Sequence, residues 1–184
     1  MTDPNRQNAS TVTDDMLIIL PVRNLVLFPG TVLPVAINRE RSLAAAQEAV
    51  RAHGKIGFLL QHDPETQNPG PGDLHRIGTV ASIVRYVTGQ DGAHHLVVQG
   101  EKRFRVLDFQ EGMPFMMARV EYIADAATAS NEVEARALNL KRLASEAVSL
   151  LPQAPAELAN AIQAVESPSA LVDLVASFMD IKAL

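Results

Sequence analysis

Arg76-Ile-Gly-Thr-Val-Ala-Ser-Ile-Val-Arg-Tyr-Val-Thr88 is followed by Gly89-Gln-Asp-Gly92 and then by Ala93-His-His-Leu-Val-Val-Gln99. The flanks are rich in Val, Ile, Thr and Tyr, side chains that suit a pleated, half-buried surface. The turn between them carries glycine at both ends and Asp-Gly at its close, the chemistry of a hairpin. Working outward, Arg103–Phe109 and Phe115–Ile123 predict two more strands, with Glu111-Gly112 as the break between them. Upstream, Met16–Val22 is a strand-sized apolar run, and Lys55–Gln61 is another. Leu25–Phe28 is a third, stopped by the turn pair Pro29-Gly30. Thr31–Ile37 is β-rich but holds Pro34, which cannot donate to a ladder, so an edge strand or a bulge is expected. Many short strands with glycine turns predict a small twisted barrel or a sandwich.

One helix interrupts the strands. Asn38 is a good N-cap, Glu40 complements the helix dipole in the first turn, and Gly54 suits the position after the last turn. The helix is expected over Arg39–His53, with Leu43, Ala46, Gln47 and Val50 on one face. The segment His62–Asp73 is rich in proline and glycine, has no large apolar residue, and is expected at the surface. After Ile123 the texture changes. Ala124–Ser130 reads as a joint, and the pattern beyond it is helical. Asn131-Glu-Val-Glu134 has capping-box spacing, Pro152 ends that helix, a second begins near Pro155, and Ser167-Pro168 opens a third. The expected organisation is a polar tail over 1–15, a β-rich unit over 16–123, a linker over 124–130 and a helical unit over 131–184, an α+β arrangement.

Composition narrows the function classes. Hydrophobic residues make up 47% and charged residues 20% of the 184 residues, ordinary for a globular chain. No apolar run is long enough for a transmembrane helix, and the polar N-terminus lacks the apolar core of a signal peptide. The absence of cysteine removes disulfides, thiol catalysis and thiolate metal sites, and fits a cytoplasmic protein. A net charge of −5 and 4% aromatics speak against a nucleic-acid interface.

Motifs of catalysis are missing from the chain. The ten glycines never take the phosphate-loop spacing, no Gly-x-Ser-x-Gly elbow occurs, and Lys55, Lys102, Lys141 and Lys182 have no catalytic context. No catalytic residue, cofactor or metal is therefore expected. His94 and His95 are adjacent in a strand and point to opposite faces. His62 and His75 flank the surface loop, where they could meet with Asp63 or Asp73 as a third ligand; with no matching ligand spacing, solvated loop histidines are the preferred reading. Two features fit a binding surface. Arg39-Glu40-Arg41 opens the helix as a charged point for a substrate or a neighbouring subunit, although most charge runs are solvated faces. Met113-Pro-Phe-Met-Met117 is apolar and adaptable, and strand alternation places Met116, Ala118, Val120 and Tyr122 on one face, leaving Phe115 or Met117 for a surface.

The segment Leu20-Pro-Val-Arg-Asn-Leu-Val-Leu-Phe-Pro-Gly30 resembles the opening signature of the N-terminal domain of Lon-type ATP-dependent proteases. Further pieces follow in family order: Leu33-Pro34, Asn38-Arg-Glu-Arg-Ser42, Asp73–Ser82, Val98–Arg105 and Ser167–Ala176. Each is weak alone; their order over residues 16–183 is specific. The resemblance implies a β-rich pseudo-barrel with one packed helix, followed by a helical bundle that in the family runs on past the position of Ala183. It implies a non-catalytic part of an ATP-dependent serine protease, with unfolded, damaged or tagged polypeptides and the other subunits of a hexamer as partners. Neither the ATPase nor the Ser–Lys peptidase motifs have matching positions here. The alternatives are a stand-alone adaptor carrying this domain and a mainly structural, oligomerising module. Candidate contact residues are Phe115, Met117, Arg39, Glu40 and Arg41.

Overall fold

The computed structural model describes residues 15–52, 54–89, 92–110, 112–125, 130–150 and 156–179. Residues 1–14 of the expected tail and most of the joint over 124–130 lie outside them; Asp15, expected in the tail, already begins the first strand. The strands are β1 (Asp15–Val22), β2 (Val32–Ile37), β3 (Lys55–Leu60), β4 (Ile77–Thr88), β5 (His94–Gln110) and β6 (Met116–Ile123). The helices are α1 (Glu40–Arg51), α2 (Asn131–Leu150), α3 (Ala156–Ala164) and α4 (Pro168–Ser177).

The sheet runs β2-β5-β4-β3-β1-β6, and β5 also pairs with β6. That last pairing joins β5, β4, β3, β1 and β6 into a closed ring and selects a barrel over a sandwich. Strand β5 closes it because it is long. Its first half carries β2, from Val32 opposite Gln99 to Ile37 opposite His94, and its second half carries β6, from Arg103 opposite Ile123 to Gln110 opposite Met117. The break expected between Gln99 and Arg103 is absent. In its place the β4 register slips by one residue between Val80–Lys102 and Ala81–Gly100, a bulge that bends β5 so that it serves both layers. Gly100 marks a close approach, not a turn: a Cβ there would lie 2.3 Å from the carbonyl oxygen of Phe28. The amide of Gly30 donates to the Gly100 carbonyl at 2.9 Å, so the Leu25–Phe28 run forms no strand and is strapped across β5. Strand β2 sits at the sheet edge, where an exposed Pro34 is tolerated.

Two apolar clusters fill the β-rich part. The barrel interior holds Leu17, Ile19, Leu59, Val80, Phe104, Ala118 and Val120. The second layer, under α1, holds Leu20, Val22, Ile56, Phe58, Ala46, Ala49 and Leu96. Because β1 feeds both clusters, it reads as an unbroken apolar run instead of an alternation. Phe104, fully buried, is accommodated by two glycines: a Cβ on Gly57 or on Gly78 would lie 2.8 or 3.0 Å from its ring.

Helix α1 differs from expectation in detail. Its N-cap is Arg39, without a side-chain capping bond, so Asn38 does not cap it. Its buried face is Ser42, Ala45, Ala46 and Ala49, while Gln47 and Val50 are exposed. Small residues face the sheet because the helix lies close against it; Leu43 packs at the edge of that cluster, and Gln47 and Val50 are turned outward. Helix α2 is capped by Ser130, whose hydroxyl accepts from the amide of Val133 at 3.2 Å, and Asn131 is already its first residue. Ser167 caps α4 as expected. Neither apolar cluster includes a residue of α2, α3 or α4. Among the described residues of these helices only Ile162, Leu171 and Asp173 are buried. Asp173 faces the barrel and pairs with Arg103 of β5.

Candidate functional site

The site forms where the chain enters α1. Arg39 turns its guanidinium away from the helix end and toward the loop after β3. Its Nη2 donates to Gln61 Oε1 at 2.6 Å and to the carbonyl of Thr66 at 3.3 Å. Gln61 is 3% exposed, and its amide nitrogen donates to the carbonyls of Asp63 and Thr66 at 3.1 and 3.0 Å. A buried amide left without partners would be costly, so this arrangement fixes the loop against the helix. Burial pushes the Arg39 guanidinium below its ordinary range, helped by the positive charge of Arg23. Arg23 itself donates to Gln67 Oε1 at 3.0 Å. Within the loop, Asp63 accepts from the amide of Glu65 at 2.9 Å and Asp73 from that of Gly70 at 2.8 Å. The His62–Asp73 segment is at the surface as expected, except that Pro69 is buried.

Between the loop and the helix lies a groove of about 480 Å³. Ile19, Pro21 and Met116 make its apolar side. Arg39, Glu40, Arg41 and Ser42 form one wall, and Gln67, Asn68 and Pro69 the other. An adjoining hollow of about 380 Å³ shares Pro21, Arg39, Ser42 and Gln67 and reaches the β2 edge at Pro34–Ile37. The structure therefore brings Arg39, Glu40 and Arg41 together over an apolar floor. The sequence reading missed Ile19, Pro21, Gln61 and Met116. Only Gln61 left a signal, a polar residue ending an apolar strand directly before a proline-glycine loop.

The Met-Pro-Phe-Met-Met stretch is corrected in part. Phe115 is 7% exposed and offers no surface. It precedes β6, in a bend, so strand alternation does not govern it. Met116, Ala118 and Val120 face inward as the alternation requires, Met117 is half-buried, and Met113 is exposed. Met117 does not line the groove; it lies opposite Ile18 of β1 and Gln110 of β5.

A second cleft, about 880 Å³, opens between the barrel and the later helices and is lined by Arg103, Asp125, Leu138, Val172 and Asp173 among others. Burial pushes the Asp173 carboxyl above its ordinary range; Arg103 opposes that and Asp125 adds to it. The imidazoles of His62 and His75 meet, with centroids 4.1 Å apart. No group of three His, Asp or Glu side chains placed to hold a metal ion occurs among the described residues. His94 Nδ1 lies 2.8 Å from the Tyr86 hydroxyl, and His95 is exposed. No described helix is long and apolar enough to cross a membrane.

Residues 16–183 match the family model described as the ATP-dependent protease La (LON) substrate-binding domain. The chain belongs to this family. It is 49% identical over 166 residues to the Lon protease of Methylocella silvestris, covering 90% of the chain and 20% of that protein. It is 46% identical over 175 residues to the Lon protease of Paraburkholderia phytofirmans, covering 95% and 22%. The chain thus spans about a fifth of the length of these curated relatives. Among solved structures, the N-terminal domain of Mycobacterium avium complex Lon protease superposes with a TM-score of 0.67 at 22% identity, over 86% of this chain and 80% of that one. The Lon N-terminal domain protein from Xanthomonas campestris gives 0.56 at 20% identity, over 90% and 99%. At these identities the likeness is one of fold, and it is the expected α+β fold: a Lon-type pseudo-barrel followed by helices. The charged run of α1 and the strand that carries Ile19 and Pro21 both lie inside the matched region.

Proposed function

We propose that this chain is the substrate-selecting, non-catalytic part of a cytoplasmic Lon-type ATP-dependent serine protease. In this reading it binds unfolded, damaged or tagged polypeptide and passes it to a motor and a peptidase located elsewhere in the assembly. The groove at the head of α1 carries the reading. Its apolar floor is the half-buried Pro21, backed by the buried Ile19 and Met116, which gives shallow apolar contact. Its rim carries both signs of charge, from Arg39, Glu40 and Arg41, which can favour or exclude chains without a shape-specific pocket. The half-buried Met117 of β6 and the exposed Met113 before it lie outside the groove and offer further apolar contact. A permanently unfolded test polypeptide, titrated against the chain, should bind weakly and saturably. The change Arg41→Glu moves the exposed rim by two charge units toward negative and leaves the Arg39–Gln61 contact alone. It should shift affinity between acidic and basic test peptides by about fivefold, as expected of about 1 kcal/mol from exposed charges. Unchanged preference would remove the groove from substrate selection.

A second reading rests on the helices. Leu138, Leu150, Phe178 and Met179 are 59–76% exposed. Exposed apolar side chains on one helical unit fit contact with neighbouring subunits of a hexamer. In that reading the β-rich part selects and the helices assemble. Replacing Leu138 and Phe178 with Ser should then weaken association of the full protease and leave peptide binding by this chain intact.

A further inference from the structure

Two imidazoles meet at the neck of the 62–73 loop, and the hydrogen bonds that build the groove use neither. Gln61 and Leu74 face each other across an isolated antiparallel bridge and are 3% and 2% exposed. Side chains alternate along extended backbone, so the next residues, His62 and His75, turn to the opposite, outer side. Both backbones are fixed: the His62 amide donates to the Asp73 carbonyl at 2.8 Å, and the His75 amide to the Leu60 carbonyl at 2.9 Å. The ring centroids stand 4.1 Å apart with the planes 49° to each other. Two imidazoles bound to one tetrahedral zinc ion, with Zn–N bonds near 2.05 Å, have ring centroids about 5 Å apart. Side-chain rotation that opens the pair by about 1 Å admits the ion. No third His, Asp or Glu side chain is placed to join the two imidazoles among the described residues, so water would complete the coordination.

We propose that His62 and His75 form a two-imidazole site for a transition-metal dication of the zinc type, which clasps the two ends of the loop. Imidazole without thiolate favours zinc, nickel or copper over magnesium or calcium. The clasp bears on the groove because Gln67, Asn68 and Pro69, its outer wall, belong to the same loop. Binding would therefore stiffen one side of the groove.

The test is a ZnCl2 titration of the chain, followed by calorimetry and by backbone amide exchange. One zinc ion should bind per chain, and amides 63–70 should exchange at least about threefold more slowly with the ion present. His62→Ala and His75→Gln should each weaken binding by about tenfold or more and abolish the slowing, since each leaves a single imidazole. His94→Ala should change neither, and MgCl2 should have no effect. His62 is exposed, so its removal leaves the fold intact, and the melting curve of the metal-free variant checks this. Zinc binding that survives both loop variants, or that follows His94, overturns the proposal. Zinc binding that depends on both histidines but leaves amides 63–70 unchanged overturns the clasp.

Discussion

Arg103→Ala should loosen the helical part of the chain and leave the barrel intact. Arg103 reaches from β5 to Asp173 of α4, and also lies 3.5 Å from the carboxylate of Asp125. Asp173 is 3% exposed, so the change strands a buried carboxylate. Losing one partner of a fully buried pair costs about 3–5 kcal/mol. Here the arginine side chain is 31% exposed, so water reaches the space it leaves, and about 1–3 kcal/mol is the better expectation. Protonation sets a ceiling: keeping an ordinary aspartate neutral at pH 7 costs about 4 kcal/mol. The pH dependence follows from the same carboxyl. Its folded pKa already lies above the ordinary value, chiefly through burial. The folded state therefore holds that proton more tightly than the unfolded state. Stability falls as pH rises from the ordinary value through the raised one, and is flat beyond. Removing Arg103 raises the folded value further and extends the window upward, so the deficit of Arg103→Ala should be large at pH 7 and shrink toward about pH 4. Asp173→Asn removes the ionisation and should cost under about 1 kcal/mol, since Arg103 keeps Asp125 and water. Amide exchange of α2 and α4, with barrel amides as internal reference, measures the effect. An Arg103→Ala deficit that is independent of pH, or an equal loss in Asp173→Asn, would refute the reasoning. So would equal loosening of barrel and helices.

Gly78→Ala should destabilise the barrel by several kcal/mol in urea melts, because the new Cβ meets the Phe58 carbonyl at 2.2 Å, and backbone cannot step aside as a side chain can. Arg39→Ala should cost about 1–2 kcal/mol and speed amide exchange across residues 62–70, since it leaves the buried Gln61 oxygen without its donor. Phe115→Ser should lower the melting midpoint by an amount matching about 3–5 kcal/mol, while the half-buried Met117→Ser costs much less and lowers affinity for unfolded polypeptide. A segment ending near Asp125 should keep one cooperative unfolding transition, and a segment beginning at Asn131 should show none, because both apolar clusters lie before the joint.

Much of this protein is written in local pattern. The apolar run of β1, the proline of the β2 edge, the hairpin between β4 and β5 and the serine cap of α4 each depend on a few neighbouring residues, whose propensities and period are visible in one dimension. The change from strands to helices near residue 124 is visible for the same reason. Pairing between distant strands is not. Gly100-Glu-Lys102 looks like a break between two strands, yet it is a bulge within one, because the Phe28 strap and the slipped β4 register decide its conformation. Phe115 looks like a surface residue when strand alternation is carried back to it, but the strand begins one residue later and the bend buries it. The groove is the clearest case. Arg39, Glu40 and Arg41 are conspicuous as charges, but Ile19, Asn68 and Met116 join them only through long-range folding. Period and propensity report what a residue does to its neighbours along the chain; which distant residues share a surface is set by closing the barrel, a property of the whole chain at once.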